Sequence, residues 1–352
     1  MDKFVTKRAR ASAGPARGQA GPEPDIAGVA KRKKEENEIG PVKRKTRNAF
    51  GVKVIATETS PSVSRAYSII NKSTGHIGGN GYNGAIYGEL TMVSMQKVVN
   101  VLKEKCAFDS TSAFIDVGSG LGKPNLHVAQ DPGVEVSYGL ELEEVRWHLA
   151  LHNLRSIVKD TQGDIVGLRR DNTFFAHGDI MSAKTFDPFT HVYMFDLGFP
   201  PATLEYCGSM FNASKAPYLI SYHNPKLTIN DYGFRVELMD QFPLSLTGSG
   251  ESHMMYLYKR QGVQGPTKVT IKKVDALFQE GVALCRAGQK EKAEPSQGAL
   301  AQWIDTRFSA YMEGGRSLRS RASRPTFDAD IVGGTESEEE SDEREQEASD
   351  ED

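Results

Sequence analysis

Residues 113 to 223 set the strongest limit on what this chain can fold into. Five short runs rich in apolar, β-branched and aromatic residues recur there: AFIDVG (113–118), EVSYGLEL (135–142), NTFFAHGD (172–179), HVYMFDLG (191–198) and APYLISYH (216–223). Helical patterns fill most of the intervals between them, and strands that alternate with helices build βαβ units on a mainly parallel sheet. The chain then changes character. RVELMDQFPLSL and HMMYLYK are joined by TGSGES, a Gly/Ser connection of the kind that closes an antiparallel hairpin. The expected architecture is an α/β sheet of seven strands that ends in a paired hairpin.

The first of these strands runs into FIDVGSGLGK (114–123), a glycine turn that several ligands could use. A phosphate-gripping loop of the form G-x-x-x-x-G-K-[ST] is excluded twice, because only three residues separate Gly118 from Gly122 and Pro124 stands where the hydroxyl belongs. The dinucleotide pattern G-x-G-x-x-G fails by one position, since residue 123 is Lys. Asp116 points to a third ligand. A carboxylate two residues before the first glycine repels a pyrophosphate, but it suits S-adenosylmethionine, which carries an ammonium and a sulfonium and no phosphate. Glycine lets the backbone approach the methionine moiety, and Pro124 fits the first turn of the next helix. Two further acids follow the same logic. Glu141 ends the second strand, where it can accept from two ribose hydroxyls, and Asp179 follows the third, within reach of an adenine amino group with Ile180 as an apolar neighbour. Cap and turn roles are the bland alternative for such residues, yet three acids at three successive strand ends are more specific than the glycines.

Outside this region the charge is strongly polarised. The first fifty residues hold 13 Lys and Arg against 6 Asp and Glu, whereas residues 336–352 hold 11 acids against Arg344 alone. Residues 1–58 are expected to form a disordered basic arm, in which KRKK (31–34) and KRKTR (43–47) read as nuclear-localisation clusters. Residues 331–352 are expected to form a disordered acidic tail. Between them lie a catalytic domain over 59–260 and a helical, basic extension over 261–330. Six glycines in residues 71–89 predict a long functional loop. A helical stripe of Leu90, Val93, Val98 and Leu102 follows it. Val274, Leu277 and Phe278, and then Leu300, Trp303, Ile304 and Phe308, mark two more amphipathic helices that pack back on the core or meet a partner. GGRSLRSRASR (314–324) is a second basic segment. The three cysteines form no framework and the eight histidines show no metal-ligand spacing, so neither disulfides nor a metal are expected. No stretch has the roughly 20 apolar residues of a membrane span.

Taken in order, IYGEL (86–90), FIDVGSGLGK, YGLELEEVR (138–146), HGDI (177–180), FDLGFPP (195–201) and LSLTGSGESHMMYLY (244–258) resemble the non-SET histone-lysine methyltransferases of the disruptor-of-telomeric-silencing type. The resemblance covers roughly residues 80 to 260. It implies the seven-stranded, Rossmann-like fold of S-adenosylmethionine-dependent methyltransferases, and an enzyme that methylates a lysine in the globular core of histone H3 on nucleosomes, in the nucleus. It further implies that Tyr87, Gly88 and Glu89 close over the methionine portion and that Asp116, Gly118 and Gly120 form its site. Glu141 would take the ribose, and Asp179 with Ile180 the adenine. Asp196 and Phe199 would lie at the acceptor-lysine channel, with Tyr222 as a further wall and Tyr87 near the reacting atoms. DNA, reached through the basic segments, and a nuclear import receptor are the other partners expected. The chain departs from the family pattern at Leu90, where Thr or Ser is usual, at Lys123, where Gln is usual, and at Asp196, where Asn is usual. The rival readings are a nucleic-acid amino-methyltransferase, whose Asp/Asn-Pro-Pro-aromatic run FDLGFPPA does not match, and a chromatin-binding protein that keeps the fold without the activity.

Overall fold

The computed structural model describes residues 57–74, 89–247, 252–263, 274–290 and 297–321. Helices α1 (Pro61–Ser73) and α2 (Met92–Lys105) precede the sheet. Strand β1 (Ala113–Val117) leads through the glycine turn to α3 (Lys123–Gln130), and β2 (Val136–Glu141) to α4 (Glu144–Val158) and the single-turn α5 (Gly163–Val166). Strand β3 (Thr173–His177) connects to β4 (His191–Met194) through a 3-10 turn at Ile180–Ser182. After β4 come a second such turn at Asp196–Gly198, α6 (Pro201–Ala213) and β5 (Tyr218–Ser221). The hairpin β6 (Val236–Ser245) and β7 (Ser252–Arg260) follows, then α7 (Ala276–Gly288) and α8 (Ala299–Arg321).

The seven strands lie in the order β3-β2-β1-β4-β5-β7-β6. Strands β1 to β5 pair in parallel, while β7 is antiparallel to both β5 and β6. The sheet expected from the sequence is therefore the sheet observed. Chain order reverses where β1 sits between β2 and β4, and in open α/β sheets ligands bind outside the carboxyl ends of the strands at such a switch point. Side chains alternate across β1, so Ile115 joins the apolar cluster that includes Tyr138, Phe174, Leu154 and Phe278, whereas Phe114 joins the cluster built on Met95, Val98 and Leu102 of α2. Asp116 shares the Phe114 face.

Local signals account for the helix boundaries. Ser60 caps α1 by accepting from Val63 N at 3.2 Å, with Pro61 at the first helical position. Thr91 caps α2 by accepting from Ser94 N at 3.1 Å. Two expectations need correction. Residues 71–73 belong to α1 and not to a loop, because the glycine content of 71–89 begins only after Thr74; residues 75–88 lie outside the described residues. Val93 is 44% exposed and not part of the α2 stripe. The helix starts at its Thr91 cap, so the buried face is set by Met95, Val98, Val99 and Leu102, and Leu90 instead bridges to Leu246 ahead of the helix.

The two C-terminal helices return to the same core. Phe278, Val282 and Cys285 of α7 and Leu300, Ala301 and Ile304 of α8 are buried in the cluster that holds the sheet. Asp305 accepts from Arg155 Nε at 2.6 Å and pairs with Lys159 Nζ at 2.8 Å, tying α8 to α4. Residues 314–321 of the second basic segment are helical, as the last turns of α8. The basic arm, the acidic tail and residues 322–324 lie outside the described residues. Among the described residues no helix is long and apolar enough to cross a membrane, and no group of three or more His, Cys, Asp and Glu could hold a metal ion. All three cysteines are buried as free thiols.

Candidate cofactor site

The turn after β1 takes a path open only to glycine at its key positions. Gly118 and Gly122 have φ of 79° and 82°, the left-handed region that costs other residues about 1–2 kcal/mol. A Cβ at Gly122 would stand 2.2 Å from the Phe175 ring, so the turn also needs the missing side chain to pack on β3. The turn is fastened to β2, with Gly118 N and Ser119 N donating to Leu140 O at 2.8 and 3.0 Å. Pro124 stands in the first turn of α3, as expected.

Below the strand ends lies a cleft of about 360 Å³, lined by Gly118, Glu141, Asp179, Ile180, Phe195, Phe199 and neighbouring residues. Glu141 is 4% exposed, and its two oxygens accept from Gly120 N at 2.7 Å and Glu143 N at 3.0 Å. Each oxygen keeps a second lone pair, so the carboxylate is immobilised and still able to accept. Asp179 is exposed at the cleft edge, where it caps the 3-10 turn by accepting from Met181 N at 2.9 Å. Ile180 is 5% exposed. A Cβ at Gly118 would lie 3.1 Å from the Phe199 ring, so a side chain here would narrow the floor of the cleft.

Gly118 and Phe195 also line a second cavity, of about 30 Å³, together with Tyr67, Glu89, Asp116, Lys123 and Tyr193. Asp116 is 1% exposed, and burial, reinforced by the charge of Glu141, holds its carboxyl well above the usual carboxylate range. A buried acid held above its usual range beside a second carboxylate favours a cationic ligand, which lowers the cost of its charge. The structure explains Lys123, for which the sequence offered no reason. Its ammonium forms a buried ion pair with Glu89, the acid of the Tyr-Gly-Glu motif. The two side chains are 7% and 5% exposed, so Glu89, just ahead of α2, is bound to the first turn of α3 by charge.

Among the residues expected at the acceptor channel, Phe199 lines the main cleft. Asp196 lines neither cavity. Its carboxylate accepts from Ser221 Oγ at 2.5 Å and from Tyr222 N at 2.8 Å, so it joins the end of β4 to the end of β5, and burial raises its pKa. The Tyr222 hydroxyl lies 3.1 Å from that of Tyr193, and its ring meets Phe195 edge-on at 4.5 Å. Tyr87 and Gly88 lie outside the described residues.

Sequence reasoning missed Tyr67, Arg146, Tyr193 and Phe195 as cavity residues. Phe195 directly precedes Asp196 in a motif that was read, and Arg146 closes YGLELEEVR, so proximity alone could have found both. Tyr67 had only a helical stripe behind a Ser-Pro cap to announce it, which is a signal of core and not of site.

A seven-stranded sheet of this order, with three strand-end acids about two cavities that share Gly118 and Phe195 at the switch point, defines the class: a Rossmann-like, S-adenosylmethionine-dependent methyltransferase. Residues 80–192 match the family model described as DOT1, histone methylation protein. That stretch includes the glycine turn and all three acids, and its departures at Leu90 and Lys123 make it a divergent DOT1-like sequence. Among solved structures, a putative RNA methyltransferase from Pyrococcus horikoshii is similar with a TM-score of 0.39 at 10% identity, over 56% of this chain and 98% of that one. Magnesium protoporphyrin IX methyltransferase from Synechocystis, solved with bound S-adenosylmethionine, is similar with a TM-score of 0.35 at 14% identity, over 58% and 86% of the two chains. Neither likeness bears on the acceptor. No curated protein sequence matches the chain.

Proposed function

We propose that the protein transfers a methyl group from S-adenosylmethionine to a lysine ε-amine in the globular core of histone H3 on nucleosomes. The observation that carries this reading is the convergence of Asp116, Glu141 and Asp179, from three adjacent strands, on cavities whose glycine turn lacks a phosphate-binding pattern. The DOT1 match over residues 80–192 supports a histone acceptor.

In this reading Glu141 accepts from the ribose hydroxyls, and Asp179 and Ile180 take the edge and face of the adenine. Gly118 and Gly120 give the backbone access to the methionine end. Asp116 receives its ammonium. The resemblance assigns Tyr87 and Gly88 to this same end. When bound, the cofactor would supply a methyl on a positively charged sulfur, to be taken by a neutral amine with the thioether as leaving group and the amine's proton passing to solvent. A lysine amine has a reference pKa near 10.4, so keeping it neutral at pH 7 costs roughly 4–5 kcal/mol. The rings of Phe195 and Phe199 lower that cost by disfavouring the ammonium. Tyr222, kept a neutral phenol by burial, supports Phe195 from behind. Asp196 acts as a positioning residue that holds this wall by joining β4 to β5. The basic arm and GGRSLRSRASR add salt-sensitive contacts to nucleosomal DNA, and the two clusters in the arm address the chain to an import receptor and the nucleus.

Labelled S-adenosylmethionine supplied with nucleosomes, free histones, DNA and RNA in parallel tests the proposal, with Asp116→Ala as control. Label in histone H3 of nucleosomes is expected, lost in the control. Label in DNA or RNA and none in histones assigns the nucleic-acid amino-methyltransferase reading instead. Measurable cofactor affinity with no transfer to any acceptor assigns the inactive chromatin-binding one.

A further inference from the structure

One wall of the small cavity comes from outside the sheet. Tyr67, on α1, is 8% exposed, and its hydroxyl lies 3.2 Å from Nδ1 of His127 on α3. Nε2 of His127 lies 3.0 Å from Oε1 of Gln96 on α2. Gln96 Nε2 in turn donates to Asp131 Oδ2 at 2.6 Å and to Asn100 Oδ1 at 3.1 Å, and Asp131 pairs with Lys103. His127 and Gln96 are 0% and 2% exposed, so this polar chain crosses the protein's interior between the cavity and the surface ion pair.

Its hydrogen bonds can run in one direction only. Asp131, a carboxylate paired with Lys103, accepts and cannot donate. The Gln96 amide must therefore turn its NH2 group toward Asp131 and its carbonyl toward His127. A carbonyl accepts, so His127 donates from Nε2. Burial lowers the His127 pKa to about 3, which leaves a neutral ring with a single N–H. Nδ1 is then an acceptor, and the Tyr67 hydroxyl must spend its proton on it. Burial and the charge of Glu89 raise the Tyr67 pKa, so the phenol keeps that proton. What Tyr67 can present to the cavity is a pair of electrons. A tyrosine without this relay could rotate its proton toward a carboxylate or a water instead.

We propose that the Asp131–Gln96–His127 relay fixes Tyr67 as a hydrogen-bond acceptor that, beside Asp116, binds the ammonium of the cofactor's methionine end. The inference rests on the cofactor assignment above and adds to it a residue, a direction and a selectivity. A cavity of about 30 Å³ has room for a group the size of one water, which an ammonium is. Ligands that keep the nucleoside but lack the amine forgo the contact, so the relay selects for the amino-acid end and leaves the adenosine end alone.

Calorimetric titration of the full chain with S-adenosylmethionine and with 5′-methylthioadenosine, which lacks the amino-acid end, separates the possibilities. Tyr67→Phe is expected to weaken S-adenosylmethionine by about tenfold or more, while 5′-methylthioadenosine affinity stays within twofold of wild type. Gln96→Leu, which releases the imidazole tautomer and leaves Tyr67 in place, is expected to weaken only the first ligand, by a smaller factor. Equal loss of both ligands in Tyr67→Phe, or unchanged affinity for S-adenosylmethionine, overturns the proposal. Nitrogen-15 NMR of the ligand-free protein gives an independent reading, in which the Nε2–H tautomer of His127 is expected and the Nδ1–H tautomer overturns the direction. Wild-type protein that binds neither ligand overturns the cofactor assignment and this inference with it, whereas wild type that binds both while Tyr67→Phe changes neither refutes this inference alone.

Discussion

Replacing Lys123 by Met removes a cation from a carboxylate that is 5% exposed while keeping nearly the same side-chain volume. Breaking a buried ion pair from one side costs about 3–5 kcal/mol, because the remaining charge stays where water cannot reach it. A domain has about 5–15 kcal/mol of stability in total. Lys123→Met should therefore lower Tm by roughly 10 °C, at about 2–4 °C per kcal/mol for a domain of this size. Lys123→Gln, which places the family's usual residue here, should cost less, since its amide can still donate to Glu89 and a hydrogen bond to a charged group contributes about 1.5–3 kcal/mol. The double variant Lys123→Met/Glu89→Gln removes both charges and should recover part of the loss. Urea unfolding of wild type, Lys123→Met, Glu89→Gln and the double variant measures the coupling directly. Additivity within about 0.5 kcal/mol, the behaviour of independent sites, would refute the claim that this pair holds Glu89 to α3. So would a Lys123→Met protein within 1 kcal/mol of wild type.

Asp116→Asn should bind S-adenosylmethionine about ten- to a hundredfold more weakly, the worth of one buried charged contact, yet be more stable without ligand. The sign follows from linkage. The folded-state pKa of Asp116 lies above its unfolded value, so the folded protein holds the extra proton and ligand-free stability falls as pH rises from the usual carboxylate range toward that raised value. The Asn variant should lack this fall, and thermal melts across that range check it. Gly122→Ala meets both a positive φ and the Phe175 ring, and should cost about 2–5 kcal/mol by denaturant titration. Asp196→Asn should stay within about 1.5 kcal/mol of wild type, whereas Asp196→Ala, which strips the acceptor from Ser221 and the Tyr222 amide, should lose about 2–4 kcal/mol. A methyl-transfer assay on the same proteins distinguishes positioning from chemistry, because a purely positioning Asp196 leaves the Asn variant active.

Periodicity and punctuation made the sheet legible, since each strand from β1 to β5 is a continuous apolar run and the hairpin is announced by its Gly/Ser connection. The acids were legible for a different reason. Asp116, Glu141 and Asp179 lie at or within two residues of strand ends, and the end of a strand is a place that sequence alone can locate. Nothing comparable locates Lys123 against Glu89, 34 residues apart in the chain, or Tyr67 against His127, 60 apart. Both contacts depend on how helices pack over the sheet, and an amphipathic stripe states only that a residue points inward, not which polar group it meets there. Val93 shows the same limit on a smaller scale, because a stripe's phase is set by the cap that starts the helix. Charge selects the ligand through residues that strands place, whereas the direction of a hydrogen bond is decided by the whole chain of partners behind it. Asp131 lies at the end of α3, yet two intervening side chains let it govern what Tyr67 can offer to a ligand.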